Sequence, residues 1–146
     1  MLPHIGLRLW VCDTYRGRAL DYSSAGEIAL EVLDAAIARL GNAKEAGERL
    51  GNKWLSRAAG EYIPILMRVR GDLERILGLV RDNRCIVARV EACSLERLVH
   101  ELRIKVYSEA PAILRRTIVE ALAAASGFLS PLCSGDVTDC GEGVVD

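Results

Sequence analysis

Apolar residues recur along this chain at helical spacing, most regularly between Asn52 and Arg81. There Leu55, Ala59, Tyr62, Leu66, Val69, Leu73, Ile76 and Val80 follow one another at alternating steps of four and three. Such a heptad seam belongs to a long helix packed lengthwise against other helices. Arginine, glutamate and aspartate fill the other faces.

An earlier helix is predicted from residue 24 to residue 40. Ser24 with Glu27 has the spacing of a capping box, and Ile28, Val32, Leu33, Ala36, Ile37 and Leu40 make a wide apolar face. Gly41 suits a left-handed C-terminal cap, and Asn42 with Glu45 repeats the capping-box pattern. This predicts a turn of about two residues and a second helix from Ala43 to Arg81. Ala46, Leu50 and Trp54 lead into the seam, with Trp54 and Tyr62 expected in or near the core. Gly47 and Gly51 each cost helix stability, so a close backbone approach is expected there. Pro64 lacks an N–H and crowds the carbonyl of Gly60, which predicts a kink, or else separate helices over 43–59 and 64–81. Arg68–Asp72 and Arg70–Glu74 are spaced to pair along the helix.

Asp82 and Asn83 mark a turn. Residues 84–109 hold no glycine or proline, and Leu95, Leu98, Val99, Leu102 and Val106 give a helical face, with Ser94 a candidate restart. Ser108 reads as the start of a last helix with Pro111 in its first turn. Leu114, Ile118, Ala121, Leu122 and Ala125 form its face, Gly127 would cap it, and Pro131 would stop it. Two stretches alternate as strands do: Ile5, Leu7, Leu9 and Val11, and Ile86, Ala88, Val90 and Ala92. They allow a two-stranded ribbon, but an extended N-terminal arm on helices is preferred. The predicted organisation is an arm over 1–22, a helical domain over 23–130 and an acidic tail over 131–146. The fold class is all-α, an antiparallel bundle of four to five helices around a long kinked central helix.

Composition sharpens this. With 146 residues and 51% apolar residues but few aromatics, the chain suits one helical domain. No run of 18 apolar residues is present, and Ile5–Val11 is broken by Arg8, so neither a bilayer span nor a signal peptide is expected. A cytoplasmic location follows as the expectation. There is no glutamine, asparagine occurs three times, and arginine outnumbers lysine sixteen to three, which fits a thermophilic source.

Candidate chemistry centres on His100. Glu96, His100, Arg103 and Tyr107 share one helix stripe, with Arg97 beside them. A carboxylate orienting an imidazole, next to guanidinium groups that hold phosphate, is the constellation of a general base in RNA cleavage. The same spacing also makes an ordinary solvated face. Arg97 stands only three positions before His100, so the arginine-to-histidine spacing of HEPN-type helical nucleases is not met. The net charge is −1 overall and +1 over residues 83–109, too little for the counterion release that drives nucleic-acid binding. The cysteine spacings, 85 to 93 and 133 to 140, match no zinc motif, so neither metal nor cofactor is expected. Inert thiols are the first reading, and a Cys133–Cys140 disulfide closing the tail is the second.

Helix 24–40 would span about 25 Å and helix 43–81 nearly 60 Å. The excess seam needs another cover, either helix 84–109 or a second copy of the chain. The function expected is that of a small non-enzymatic interaction or accessory protein, self-associating as a homodimer or joined to a larger complex. The alternative is a nucleic-acid-binding or RNA-processing protein using Arg97, His100 and Arg103.

Overall fold

The computed structural model describes residues 18–135, with side chains from residue 22 onward. The strand-like stretch 5–12, most of the N-terminal arm and the tail beyond residue 135 lie outside the described residues. Within them are four helices and no strand: α1 (Arg18–Leu50), α2 (Lys53–Arg81), α3 (Cys85–Glu109) and α4 (Ala112–Ser134). The all-α reading holds, and residues 85–93 are helix.

Every helix carries a seam of alternating three- and four-residue steps. In α2 the residues from Ala59 to Val80 named above are all buried, and Leu55 is half-buried. In α1 the seam is Tyr22, Gly26, Ala29, Leu33, Ala36, Leu40, Ala43 and Gly47. In α3 it runs Cys85, Ala88, Ala92, Leu95, Val99, Leu102, Val106, and in α4 Leu114, Ile118, Ala121, Ala125, Phe128, Leu132. Four such seams turned inward make a bundle core with knobs-into-holes packing.

Cross-links between helices fix the directions. Arg70 pairs with Asp34 at 2.7 Å, and Arg81 pairs with Glu27, so positions fall along α1 as they rise along α2. Arg75 with Glu91 relates α2 to α3 in the same antiparallel sense. Ser126 donates to Glu96 at 3.0 Å, and Cys93 is disulfide-bonded to Cys133, relating α3 to α4. The Tyr22 hydroxyl donates to the Pro131 carbonyl at 3.3 Å, which closes the ring between α1 and α4.

Several predicted boundaries move. Ser24 and Glu27 lie inside α1, where Ser23 and Glu27 receive Arg81 instead of capping the helix. The predicted stop at Gly41–Asn42 is absent, because Leu40, Ala43 and Gly47 carry the packing seam straight through it. The helix ends at Gly51, whose φ is +74°. Asn52 N–H reaches the Gly47 carbonyl at 2.7 Å and Gly51 N–H the Glu48 carbonyl at 3.4 Å, the two bonds of a Schellman motif. Asn52 then caps α2, its Oδ1 accepting from the Leu55 amide at 3.1 Å. The expected turn at Asp82–Asn83 is present. Asn83 has φ +61°, and Arg84 N–H bonds to the Leu79 carbonyl at 2.9 Å.

Ser108 does not start the last helix; its hydroxyl donates back to the Ile104 and Lys105 carbonyls within α3. Pro111 precedes α4 at its N-cap position, and the helix continues past Gly127 and Pro131 to Ser134. α2 likewise runs unbroken through Pro64. Both prolines have a glycine four residues back, Gly60 and Gly127, where no side chain hinders the backbone from yielding to the proline ring. Ile28 and Trp54 were expected on buried faces but are exposed, at 58% and 65%.

Helix lengths settle the question of the overhang. α1 and α2 span about 50 and 44 Å, nearly matched, so the premise of a seam more than twice as long as its partner falls away. α3 and α4 are shorter, at about 38 and 35 Å. All four are aligned at the end holding Tyr22, Arg81 and Pro131. The α1–α2 hairpin therefore projects past α3 by roughly 6 Å and past α4 by roughly 9 Å at the opposite end. α4 is long and apolar enough to cross a membrane by length and composition, with mean hydropathy 1.3, and here its seam is part of the core.

Candidate functional site

The stripe of Glu96, Arg97, His100, Arg103 and Tyr107 lies on α3 as the spacing implies. Arg97, His100 and Tyr107 are exposed, while Glu96 and Arg103 are half-buried. The Glu96 carboxylate accepts from Ser126 of α4 through Oε2, and its buried Oε1 has no partner among the described residues. The carboxylate is thus directed at α4. Among the described residues no hydrogen bond joins it to His100 or to either arginine. General-base action needs an imidazole oriented by a second group, and among the described residues no hydrogen bond to His100 supplies it.

The cysteines are arranged differently from the expectation. Cys93 on α3 and Cys133 on α4 form a disulfide with their Cα atoms 4.8 Å apart, 40 residues distant in sequence. A Cys133–Cys140 bond is thereby ruled out, and the inert thiols expected at Cys85, Cys93 and Cys133 are absent, since all three are disulfide-bonded. The bond forms because the antiparallel register of α3 and α4 sets these two positions opposite one another, a tertiary fact that spacing along the chain does not carry. Arg89, one turn before Cys93, donates from Nε to the Cys133 carbonyl at 3.0 Å. A cleft of about 320 Å³ opens here, lined by Ile86, Arg89, Val90 and Cys93.

A second cleft, of about 170 Å³, lies between α2 and α3. Its floor is Ile76, Leu95 and Leu98, and its walls carry Arg68, Asp72, Arg75, Glu91 and Ser94. Arg75 spans it, pairing with Glu91 and lying 3.8 Å from Asp72. The i,i+4 pairing expected of Arg68 with Asp72 is replaced by this one, whereas Arg70–Glu74 is present at 3.0 Å. The walls balance two guanidinium groups against two carboxylates, so the cleft has no net charge with which to select an ion. These residues were legible only as helix-surface charges, because their meeting depends on the register between α2 and α3. Among the described residues no group of three or more histidine, cysteine, aspartate or glutamate side chains is placed to hold a metal ion.

Of the nine large apolar side chains exposed among the described residues, five lie near one end of the bundle and Ile28, Ile86 and Val90 lie toward the other. Leu50 and Trp54 flank the Gly51–Asn52 turn at the tip of the projecting hairpin, 80% and 65% exposed. Ile104 and Tyr107 in the last turns of α3 and Ile113 at the start of α4 are exposed near the same end. No protein family, curated protein or solved structure matches this chain.

Proposed function

We propose that this chain is a small helical interaction protein without an active site of its own, which associates through the tip of its α1–α2 hairpin, with a second copy as the first partner. The observation that carries this reading is the placement of Leu50 and Trp54, exposed on either side of the two-residue turn at the tip of the hairpin that projects beyond α3 and α4. Exposed tryptophan on a preorganised element is the commonest kind of interface anchor, since it buries a large area at small entropic cost. A symmetric dimer is the simplest closed assembly for such a self-complementary patch. The reading includes a bend in α2 near Gly60–Pro64, α4 as a core helix rather than a bilayer span, and a thermophilic cytoplasm as the setting, where a disulfide such as Cys93–Cys133 persists.

Concentration-dependent sedimentation tests it. The full chain is expected to sediment as a dimer at micromolar concentrations, and Leu50→Glu with Trp54→Glu to give a folded monomer. A wild-type chain that stays monomeric at every concentration would sink the self-association. The nucleic-acid reading keeps one favourable observation, the exposure of Arg97 and His100. It predicts that His100→Ala weakens RNA binding or cleavage, and an unchanged assay removes it.

A further inference from the structure

We propose that the Cys93–Cys133 disulfide is a thiol–disulfide exchange site, attacked at Cys93 by the thiolate of a dithiol reductant, with Cys133 as the leaving sulfur. Three observations meet here. The bond joins two helices at half-buried positions, so it is neither sealed in the core nor out on a loose loop. Of its two cysteines, Cys93 lines the 320 Å³ cleft, which gives an incoming thiolate an approach to the Cys93 sulfur. Arg89 lines the same cleft and is tied to the main chain of Cys133 by its 3.0 Å bond. A fixed guanidinium beside Cys133 favours negative charge developing on that sulfur, and exchange is faster when the departing thiolate is stabilised.

The exchange balances in two steps. The reductant thiolate forms a bond to the Cys93 sulfur while the Cys93–Cys133 bond breaks, and the electron pair leaves on Cys133 beside Arg89. The second thiolate of the dithiol then attacks the reductant's own sulfur in this mixed disulfide. That step closes the reductant to a cyclic disulfide and releases the Cys93 thiolate. Two protons from solvent complete the two protein thiols. The dithiol is oxidised by two electrons and the protein disulfide reduced by two.

Trapping with a monothiol identifies the attacked sulfur. The native full chain is treated with 2-mercaptoethanol in the presence of iodoacetamide, quenched with acid and mapped by mass spectrometry. The mercaptoethanol adduct is expected on Cys93, with carbamidomethyl on Cys133. Separately, because Cys85 is disulfide-bonded too, the opening of the Cys93–Cys133 bond by dithiothreitol is timed at its own peptides, by alkylation and mass spectrometry, in the wild type, Arg89→Gln and Arg89→Lys. Arg89→Gln is expected to slow opening by about threefold or more, and Arg89→Lys to restore most of the rate. An adduct divided evenly or found on Cys133 overturns the proposal. So does an unchanged rate in Arg89→Gln, or opening that occurs only at the rate of global unfolding.

Discussion

The backbone of Ser56 passes so close to Gly47 that a Cβ on Gly47 would lie 2.8 Å from the Ser56 amide nitrogen and 2.9 Å from the Asn52 carbonyl oxygen. Both obstacles are main-chain atoms in a turn held by a Schellman motif and an N-cap, so they cannot step aside. Gly47→Ala is therefore expected to destabilise the protein by about 2 kcal/mol, as overpacking does. Gly41, also inside α1, has open space around its missing Cβ, so Gly41→Ala is expected to stabilise by about 0.5–1 kcal/mol. Urea unfolding of the two variants checks both signs, and a Gly47→Ala protein as stable as wild type would show that the hairpin is not packed this closely.

That contrast explains much of what the sequence could and could not show. The α2 seam was readable because leucine, isoleucine, valine and tyrosine mark it. The matching seam of α1 is built on Gly26, Ala29, Ala36, Ala43 and Gly47, which give little hydrophobic signal although they permit the close approach. At Gly26 the space is already taken by Leu77 and Phe128 side chains. With that seam unread, local signals at Gly41, Asn42 and Glu45 looked like a helix stop. Packing overrides them, and the true stop at Gly51–Asn52 falls inside the helix that the sequence predicts.

The two prolines carry a similar lesson. Glycine four residues before Pro64 was a reason to let α2 continue, and the same pairing at Gly127 and Pro131 holds for α4. The candidate site fared worse because its facts are tertiary. Spacing could place Glu96 on the stripe of His100, but only the register of α3 against α4 directs its carboxylate to Ser126 and sets Cys93 opposite Cys133.

Asn83 holds the turn between α2 and α3 with a φ of +61°, a conformation that asparagine tolerates and alanine resists. Asn83→Ala is expected to cost about 1 kcal/mol, while Asn83→Gly should be neutral or slightly stabilising. Thermal melting of the pair tests this, and equal melting temperatures for the two would show that the backbone conformation at residue 83 costs nothing.

Tyr62 sets an alkaline limit. Burial pushes its phenol pKa above the ordinary 10.0, and the nearby carboxylates of Glu109 and Glu61 push the same way. Because the folded value is raised, the unfolded chain loses its proton first as pH rises. The contribution of Tyr62 is then fully present below pH 10 and is lost as pH climbs through the folded value. Subtracting the unfolding free energies of Tyr62→Phe from those of the wild type should give a difference that is flat below about pH 9 and falls in alkali. Parallel curves through pH 11 would contradict it.

The Cys93–Cys133 bond closes a loop of 40 residues that contains most of α3, the α3–α4 turn and most of α4. Confining a loop of that length in the unfolded chain is worth about 4 kcal/mol on the chain-entropy account, with 2–4 kcal/mol typical of measured bonds. The folded bundle itself gives no reason for α3 and α4 to separate without the bond. Their seams are buried against one another and against the rest of the core, and Ser126 bonds to Glu96 independently of the sulfurs. Cys93→Ser with Cys133→Ser is therefore expected to keep the helical circular dichroism of the native protein at 25 °C while its unfolding midpoint in urea falls. Cys85 is disulfide-bonded as well, so reductant opens more than this one bond and is expected to lower the midpoint at least as far as the double mutation does. A double variant that lost its helical signal without denaturant would instead make the disulfide a condition of folding, and a double variant with the wild-type midpoint would show that the bond adds no stability.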